Sequence, residues 1–255
     1  MALRRLLIDL IFACFGALIV VAALSAFRQG LIGDDIARIV FGVDASTRFP
    51  MSIQALSWVV FAVGLGELVV RAVESSREAS VLKSGLLPAR HGEVFRVEDL
   101  GEVYRRARKQ GEGLMLGRAV MRIVSSFQIS RSAAQSSAVL QSTMALFEHE
   151  VDLRYNFLRY LLWLIPSLGF IGTVWGIGQG LDVISKTPPT IDNAETILPL
   201  VTGRLAIAFD TTLVALLLTS VLAYALHLVQ TREESIVNDV GQRCVDDLVN
   251  QLLEE

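Results

Sequence analysis

Carboxylate and hydroxyl side chains occur in this chain where a membrane segment would normally have none. The last apolar segment, Ile197–Val229, contains Asp210, Thr211 and Thr212. If Leu205–Leu226 fills the hydrocarbon layer, all three lie inside it, where a carboxylate costs about 3 kcal/mol and usually faces a bundle interior or a water path. The pattern therefore predicts an ion path. Two alternatives stay open: Asp210 could bond to a neighbouring helix or an arginine, and a threonine commonly bonds to its own helix.

A further hydroxyl, that of Thr173, lies in the preceding apolar stretch, Tyr160–Leu181. This stretch has no formal charge over 22 residues, and at 1.5 Å per residue it extends about 33 Å, enough to cross a bilayer. Pro166 lies inside it, where its missing N–H frees the carbonyl of Leu162. A stripe of glycines at helical spacing should let another helix approach closely. These glycines are Gly169, Gly172, Gly176 and Gly180.

The last apolar segment carries a matching stripe of small residues. Its members are Ala208, Thr212, Ala215, Thr219 and Ala223. Two such stripes on successive helices could line a narrow shared path, and this hypothesis joins the threonines of both segments in one site.

The composition is that of a multi-span membrane protein. The chain is 53% hydrophobic and 19% charged, with a mean hydropathy of +0.52, above the usual range of soluble domains. The net charge is −3, and the one dense basic run, Arg105–Lys109, is better interpreted as a solvated helix face. We expect membrane lipids around the chain and no nucleic-acid partner.

Neither a metal site nor an active site is indicated. Cys14 and Cys244 lie far apart in different kinds of sequence, without a third metal ligand. The histidines lie in separate regions without a matching carboxylate or cysteine cluster, and no phosphate-binding loop occurs; they are His91, His149 and His227. We expect no cofactor and no enzymatic activity.

Four membrane spans are predicted. Two precede those already described: Leu6–Phe27, too long for a signal peptide core, and Met51–Val70. Most Lys and Arg residues lie between Arg71 and Arg159, and Arg4 and Arg5 precede the first span, so the positive-inside rule places this region and both termini in the cytoplasm.

The segments between and after the spans should also be helical. Val97–Lys109 and Gly117–Tyr155 show helical spacing of apolar residues, and the second should run on without a stop into Tyr160, since neither Pro nor Gly interrupts Ser125–Ile165. Asp182–Glu195 should be a short external turn, and Gln230–Glu255 an amphipathic helix.

The expected fold is therefore an all-α membrane protein with four transmembrane helices and a long cytoplasmic helical extension. Its regions are 1–72 with two spans, 73–156 as the cytoplasmic helical region, 157–229 with the last two spans, and 230–255 as the C-terminal cytoplasmic helix.

Two sequence blocks resemble the MotA/TolQ/ExbB proton channel family. Ile165–Gly176, IPSLGFIGTVWG, is similar to the proline- and glycine-containing L-G-T-V-W-G segment of that family, and Ala208–Leu216, AFDTTLVAL, is similar to its final helix. The motif-bearing resemblance covers Phe157–Val229. The T-V-W-G segment is closer to TolQ and ExbB, whereas the span Leu6–Phe27 is additional to their three-span pattern.

The resemblance implies a homopentameric ring in a bacterial inner membrane, enclosing the single spans of a TolR-, ExbD- or MotB-like partner that carries a membrane aspartate. Proton passage would turn the ring and deliver work across the envelope, including protein transport. The pore threonines of the family fall on Thr173 and Thr211, with Asp210 and Thr212 beside them, and the hinge proline on Pro166. The family's glutamate is replaced here by Ala206, and sodium is an alternative ion.

A second hypothesis makes the chain a non-conducting membrane scaffold. Its glycine stripe would only assemble helices into an oligomer, and its cytoplasmic rod would recruit partners. The two hypotheses differ in whether the threonines and Asp210 matter for activity.

Overall fold

Only helices form regular structure in the described part of the chain. The structure, a computed structural model, describes residues 39–40, 52–83, 97–111, 113–190 and 192–252, with the backbone alone for 97–99 and 110. The helices are α1 (Ile53–Lys83), α2 (Val97–Gln110), α3 (Met115–Ser130), α4 (Ala133–Arg154), α5 (Asn156–Lys186) and α6 (Ala194–Asp247), followed by a short 3₁₀ helix, Val249–Gln251. The predicted all-α class is confirmed over these residues.

Among the described residues, three helical stretches are long and apolar enough to cross a membrane. They are Ile53–Lys83, Ala133–Lys186 and Ala194–Gln251. The second and third contain the predicted spans Tyr160–Leu181 and Ile197–Val229, and the first covers the predicted span Met51–Val70 from Ile53 onward. The predicted first span, Leu6–Phe27, lies outside the described residues. The four-span topology, the cytoplasmic extension and the cytoplasmic placement of the termini therefore stay predictions.

The chain divides into two compact units. One consists of Met1–Val69 with Phe157–Leu226, and the other of Val70–Asn156 with His227–Glu255. The first unit contains the apolar parts of α1, α5 and α6, and the second contains α2, α3 and α4 with the polar parts of α1 and α6.

In the first unit, α1 meets α5 and α6 at a glycine. A methyl carbon placed on Gly64 would lie 2.8 Å from Leu222 Cδ2 and 3.5 Å from Leu161 Cδ1. The three residues are buried. Because Gly64 has no side chain, the two leucines can occupy the space beside the α1 backbone.

In the second unit, α2 packs on α3 through its apolar face. Leu100, Val103 and Ala107 are buried, whereas the basic run of α2 is exposed, as expected for a solvated face. Gly111 and Gly117 approach so closely that a methyl carbon on Gly111 would lie 2.8 Å from the Gly117 Cα. This contact closes the connection between α2 and α3.

The prediction of one uninterrupted helix from Gly117 through Tyr160 is wrong. The chain breaks after Ser130, because Arg131 adopts a left-handed conformation with φ of 54° and Ser132 begins the next helix by accepting a hydrogen bond from the Gln135 N–H at 3.4 Å. Ser-x-x-Gln is a capping pattern, so the sequence contained this signal although it has no Pro or Gly here.

A second break occurs at Tyr155, where α4 ends and α5 begins. The Tyr155 N–H bonds to the Asp152 carbonyl at 3.1 Å, the spacing of a tight turn. The backbone of Tyr155 has φ of −88° and ψ of −5°, in the bridge region that turn residues commonly occupy.

The connection between α5 and α6 is shorter than the predicted turn Asp182–Glu195. Helix α5 continues to Lys186, which contacts Asp182 at 2.7 Å. In the turn itself, Asn193 Oδ1 accepts from the Thr190 N–H at 2.6 Å. The tight turn begins only where Pro188 and Pro189 follow.

The predicted C-terminal amphipathic helix is helical as far as Asp247. The apolar spacing that predicted this helix consists of Ile236, Val240, Val245, Leu248, Val249 and Leu252. All of them are buried except Val245, which is 38% exposed, while its neighbour Cys244 is buried. The buried face of α6 therefore follows a register one residue away from the one predicted at this point.

Candidate functional site

The glycine stripe of α5 and the small-residue stripe of α6 face each other. A methyl carbon would lie 2.6 Å from Ala215 Cβ if placed on Gly169, and 2.7 Å from Ala208 Cβ if placed on Gly176. Going along α5 from Gly169 to Gly176, the facing residue on α6 changes from Ala215 to Ala208. The two helices are therefore antiparallel. The stripes pack tightly between Gly169 and Gly176, and a path lined by both stripes stays a prediction.

The fourth glycine of the stripe differs from the others. Gly180 is buried, but the nearest atoms to a methyl carbon at this position, including Arg204 Cβ, lie 3.8 Å away, which is ordinary van der Waals contact. The close packing therefore extends from Gly169 to Gly176 and has relaxed by Gly180.

Three threonine hydroxyls and two backbone carbonyls form an oxygen cluster where these helices meet. Thr211 Oγ1 lies 2.7 Å from the Ala208 carbonyl and 3.3 Å from the Gly169 carbonyl. Thr212 Oγ1 lies 3.1 Å from the Gly169 carbonyl, and Thr173 Oγ1 lies 3.0 Å from that of Ala208. Thr173 and Thr212 also contact each other through their hydroxyls. The structure thus brings together the three threonines that the sequence singled out.

The members of the oxygen cluster differ in exposure. Thr211 is 4% exposed and lies against Gly172, where a methyl carbon would be 2.5 Å from its Oγ1. Thr173 and Thr212 are half-buried, at the edge of the helix pair. Asp210, the residue before Thr211 on α6, is also half-buried. The edge at Thr173 and Thr212 is therefore the part that another molecule can reach.

Pro166 lies inside α5, one turn before Gly169. Its missing N–H cannot bond to the Leu162 carbonyl. Ser167 Oγ donates to the Trp163 carbonyl at 2.8 Å in the same turn. The role of Pro166 as a hinge stays a prediction.

One polar contact near the site was missed by the sequence interpretation. Arg204 Nη1 donates to Gln179 Oε1 at 3.1 Å, which connects α6 to α5 one turn beyond Gly176. The two residues are 25 positions apart in sequence. Only the antiparallel register of the two helices, not the spacing of residues, identifies them as partners.

The second unit contains ion pairs outside the apolar spans. Arg118 makes two hydrogen bonds to Glu150, at 3.0 and 2.6 Å, and lies 4.5 Å from the Phe147 ring centroid. The hydrogen bond from Arg118 lowers the pKa of the Glu150 carboxyl group. These contacts join the start of α3 to the end of α4.

Glu78 on α1 caps the N-terminus of α3. Its Oε2 and Oε1 accept from the Met115 N–H at 3.0 and 3.2 Å. Burial raises the pKa of Glu78, against the opposing effects of this hydrogen bond and of Arg154 and Arg118. Because both oxygens of Glu78 accept from the Met115 N–H, this side chain connects α1 to the start of α3.

Within the described residues, no group of three or more His, Cys, Asp or Glu side chains could hold a metal ion. His149 and His227 are described, and His91 lies outside the described residues. The site is therefore defined by hydroxyl and carbonyl oxygens at a close helix contact.

Long apolar helices packed through glycines, with hydroxyls at the contact, define a multi-span helical membrane protein. The model of the MotA/TolQ/ExbB proton channel family matches residues 109–242, more than half of the 255 residues, and the chain belongs to that family. No curated protein and no solved structure matches it. The resemblance seen in the sequence is confirmed at the level of the family, whose members are channel components and not enzymes.

Proposed function

We propose that the chain is the ring-forming subunit of an ion-driven motor in a bacterial inner membrane. In this proposal a homopentamer surrounds the spans of a single-span partner of the TolR, ExbD or MotB kind, whose membrane aspartate takes up and releases protons. Family membership supports a motor-type membrane subunit. The distribution of Lys and Arg supports cytoplasmic termini.

The observation that carries this proposal is the pair of half-buried hydroxyls at the edge of the α5–α6 contact. Thr173 and Thr212 present oxygens there that an ion or a partner carboxylate can reach. Thr211 lies behind them and bonds to the carbonyls of Gly169 and Ala208, which Thr173 and Thr212 share. Asp210 supplies an acidic group on the same helix. These four side chains form the ion path of the proposal.

The test is to purify the chain with the single-span protein encoded beside it and reconstitute both into liposomes. Thr173→Val and Thr212→Val remove a hydroxyl with little change in volume. Each should lower proton uptake about tenfold, since the loss of one hydrogen bond in a barrier is worth about 1.4 kcal/mol. Thr219→Val is the matched control, because Thr219 bonds to the Ala215 carbonyl of its own helix at 2.7 Å.

Native mass spectrometry of the same preparation measures the copy ratio of the two subunits. A pentamer with two partner copies is expected. Undiminished proton uptake by a correctly assembled Thr173→Val complex would contradict the ion path, and replacing the proton gradient by a sodium gradient identifies the ion.

A non-conducting scaffold is the second candidate. It is favoured by the fact that Thr173, Thr211 and Thr212 all make hydrogen bonds within the helix pair, as threonines with a purely structural role would. It predicts that Gly172→Leu breaks assembly while the threonine and Asp210 variants have no effect. The valine variants therefore distinguish the two candidates.

A further inference from the structure

A carboxylate on α6 is buried in the second unit, beyond the apolar span. Glu233 is 3% exposed. Its Oε2 accepts from the Tyr155 hydroxyl at 2.8 Å, and its Oε1 accepts from Arg154 Nη1 at 3.0 Å. Each carboxylate oxygen therefore has one donor, and the two donors are consecutive residues.

These two donors lie at the joint between α4 and α5. Tyr155 is outside both helices, and Asn156 begins α5. An interruption of regular helical hydrogen bonding is where a helix bends most readily. The two bonds to Glu233 fix this joint to α6 and so restrict the bending that the backbone alone would allow.

Because these groups are buried, removing only one partner of the contact is costly. Tyr155 is completely buried, and removing its hydroxyl would leave a buried oxygen of the Glu233 carboxylate without its donor, which is costly. Burial and the neighbouring Glu233 carboxylate also raise the pKa of the Tyr155 hydroxyl, which stays protonated as a donor.

The contact continues into α4 and α3. Arg154 Nη2 lies 3.9 Å from Glu150 Oε2, and Glu150 is held by Arg118 of α3. A chain of charged side chains thus runs from α6 through the joint at Tyr155 to the α3–α4 pair. A displacement at the joint would disturb each of these contacts in turn.

We propose that Tyr155 and Glu233 are positioning residues that clamp the start of α5 to α6, so that α5 and α6 move together during ion-driven work. The proposal rests on the proposed function. The clamp does not contact the ion; it prevents α5 from pivoting at its first residue. Through Arg154, the clamp also contacts Glu150 of α4.

The test uses the double variant Tyr155→Phe/Glu233→Met, which removes the clamp without leaving the carboxylate buried alone. Replacing buried polar pairs by apolar groups of similar size is often neutral for stability, so the chain should fold. Tyr160→Phe/Glu234→Met is the matched control, since Tyr160 is 52% exposed and Glu234 is exposed.

The first measurement is hydrogen exchange of the full chain in detergent, which needs neither partner nor ion flow. Amides of residues 156–165 should exchange about tenfold faster in the double variant, as expected when about 1.4 kcal/mol of local protection is lost. Amides of α3 provide the internal reference for global stability. Unchanged exchange in residues 156–165 would overturn the clamp.

The second measurement is proton uptake per assembled complex, with the amount of assembly taken from native mass spectrometry. The double variant should assemble with the wild-type copy ratio and take up protons at least about fivefold more slowly, a change of about 1 kcal/mol in the barrier. Wild-type uptake per complex would reject the positioning role, even if thermal stability fell. Absence of ion flow in the wild-type complex would instead reject the proposed function, while hydrogen exchange still tested the clamp.

Discussion

Gly172 and Thr211 lie so close that a methyl carbon on Gly172 would be 2.5 Å from the Thr211 Oγ1 and 2.7 Å from its Cβ. Because Gly172 has no side chain, the Thr211 hydroxyl of α6 can reach the carbonyl of Gly169, which is on α5 like Gly172. The packing of the two helices and the oxygen cluster depend on the same glycine.

Adding a methyl group to the stripe should destabilise the α5–α6 contact at Gly176 and not at Gly180. Gly176→Ala should lower the free energy of unfolding by about 1–3 kcal/mol, because the new carbon would overlap Ala208 Cβ. Gly180→Ala should be neutral or slightly stabilising, since its nearest neighbours are 3.8 Å away. Thermal unfolding in detergent measures both.

Ala208→Gly should rescue Gly176→Ala, because it removes the overlapping carbon. The double variant should recover at least half of the loss. If Gly176→Ala and Gly180→Ala were equally harmful, the cost would come from the glycines' own helix and not from contact with α6.

The break between α3 and α4 should respond to the backbone conformation of Arg131. Arg131→Gly should stabilise the second unit by up to about 1 kcal/mol, because a left-handed conformation is strained for residues with a Cβ. Arg131→Ala keeps that strain and controls for loss of the charge. Urea unfolding of the full chain in detergent compares the wild type with the two variants. Equal stability of the glycine and alanine variants would contradict the proposed backbone strain at Arg131.

The cap at Ser132 can be tested separately. Ser132→Ala should destabilise the chain by about 1 kcal/mol, since the Gln135 N–H loses its acceptor. Ser132→Asp, which keeps an acceptor at the N-cap, should remain close to the wild type. An alanine variant as stable as the wild type would assign the start of α4 to tertiary packing alone.

Glu78 should make stability fall as pH rises. Its pKa in the folded chain is raised from 4.5, so its stabilising contribution is complete below pH 4.5 and is lost as pH rises through the folded pKa. Glu78→Gln should therefore gain stability relative to the wild type between pH 4.5 and 7. Chemical unfolding across this range measures how the stability difference between Glu78→Gln and the wild type changes with pH, with Glu102→Gln at an exposed position as control. The same pH dependence in both variants would contradict the effect assigned to Glu78.

Glu150 should have the opposite effect. Its pKa is lowered from 4.5 chiefly by the hydrogen bond from Arg118, so its contribution is present above pH 4.5 and is lost as pH falls through the folded pKa. Glu150→Gln should cost less than about 1 kcal/mol at pH 7, since the pair is partly exposed, and this cost should shrink as pH falls below 4.5. Glu148→Gln, on an exposed neighbouring position, should show no such difference.

The sequence by itself determined the class of the protein and singled out the three threonines whose hydroxyls the structure brings together. Uncharged runs long enough to cross a membrane, the glycines of Tyr160–Leu181 and the hydroxyls around Asp210 are local features, because composition and spacing along one helix are sufficient to recognise them. The helical structure of Val97–Gln110 followed from its apolar spacing in the same way.

Tertiary structure decided which faces meet and where the helices stop. Thr211 and Thr173 are 38 residues apart, and only the antiparallel register of α5 and α6 brings both hydroxyls to the carbonyls of Gly169 and Ala208. Tyr155 gives no local sign of a helix end; there the structure places its hydroxyl on the buried Glu233. The physical reason is that a buried carboxylate requires donors, and those donors come from residues whose proximity no local pattern encodes.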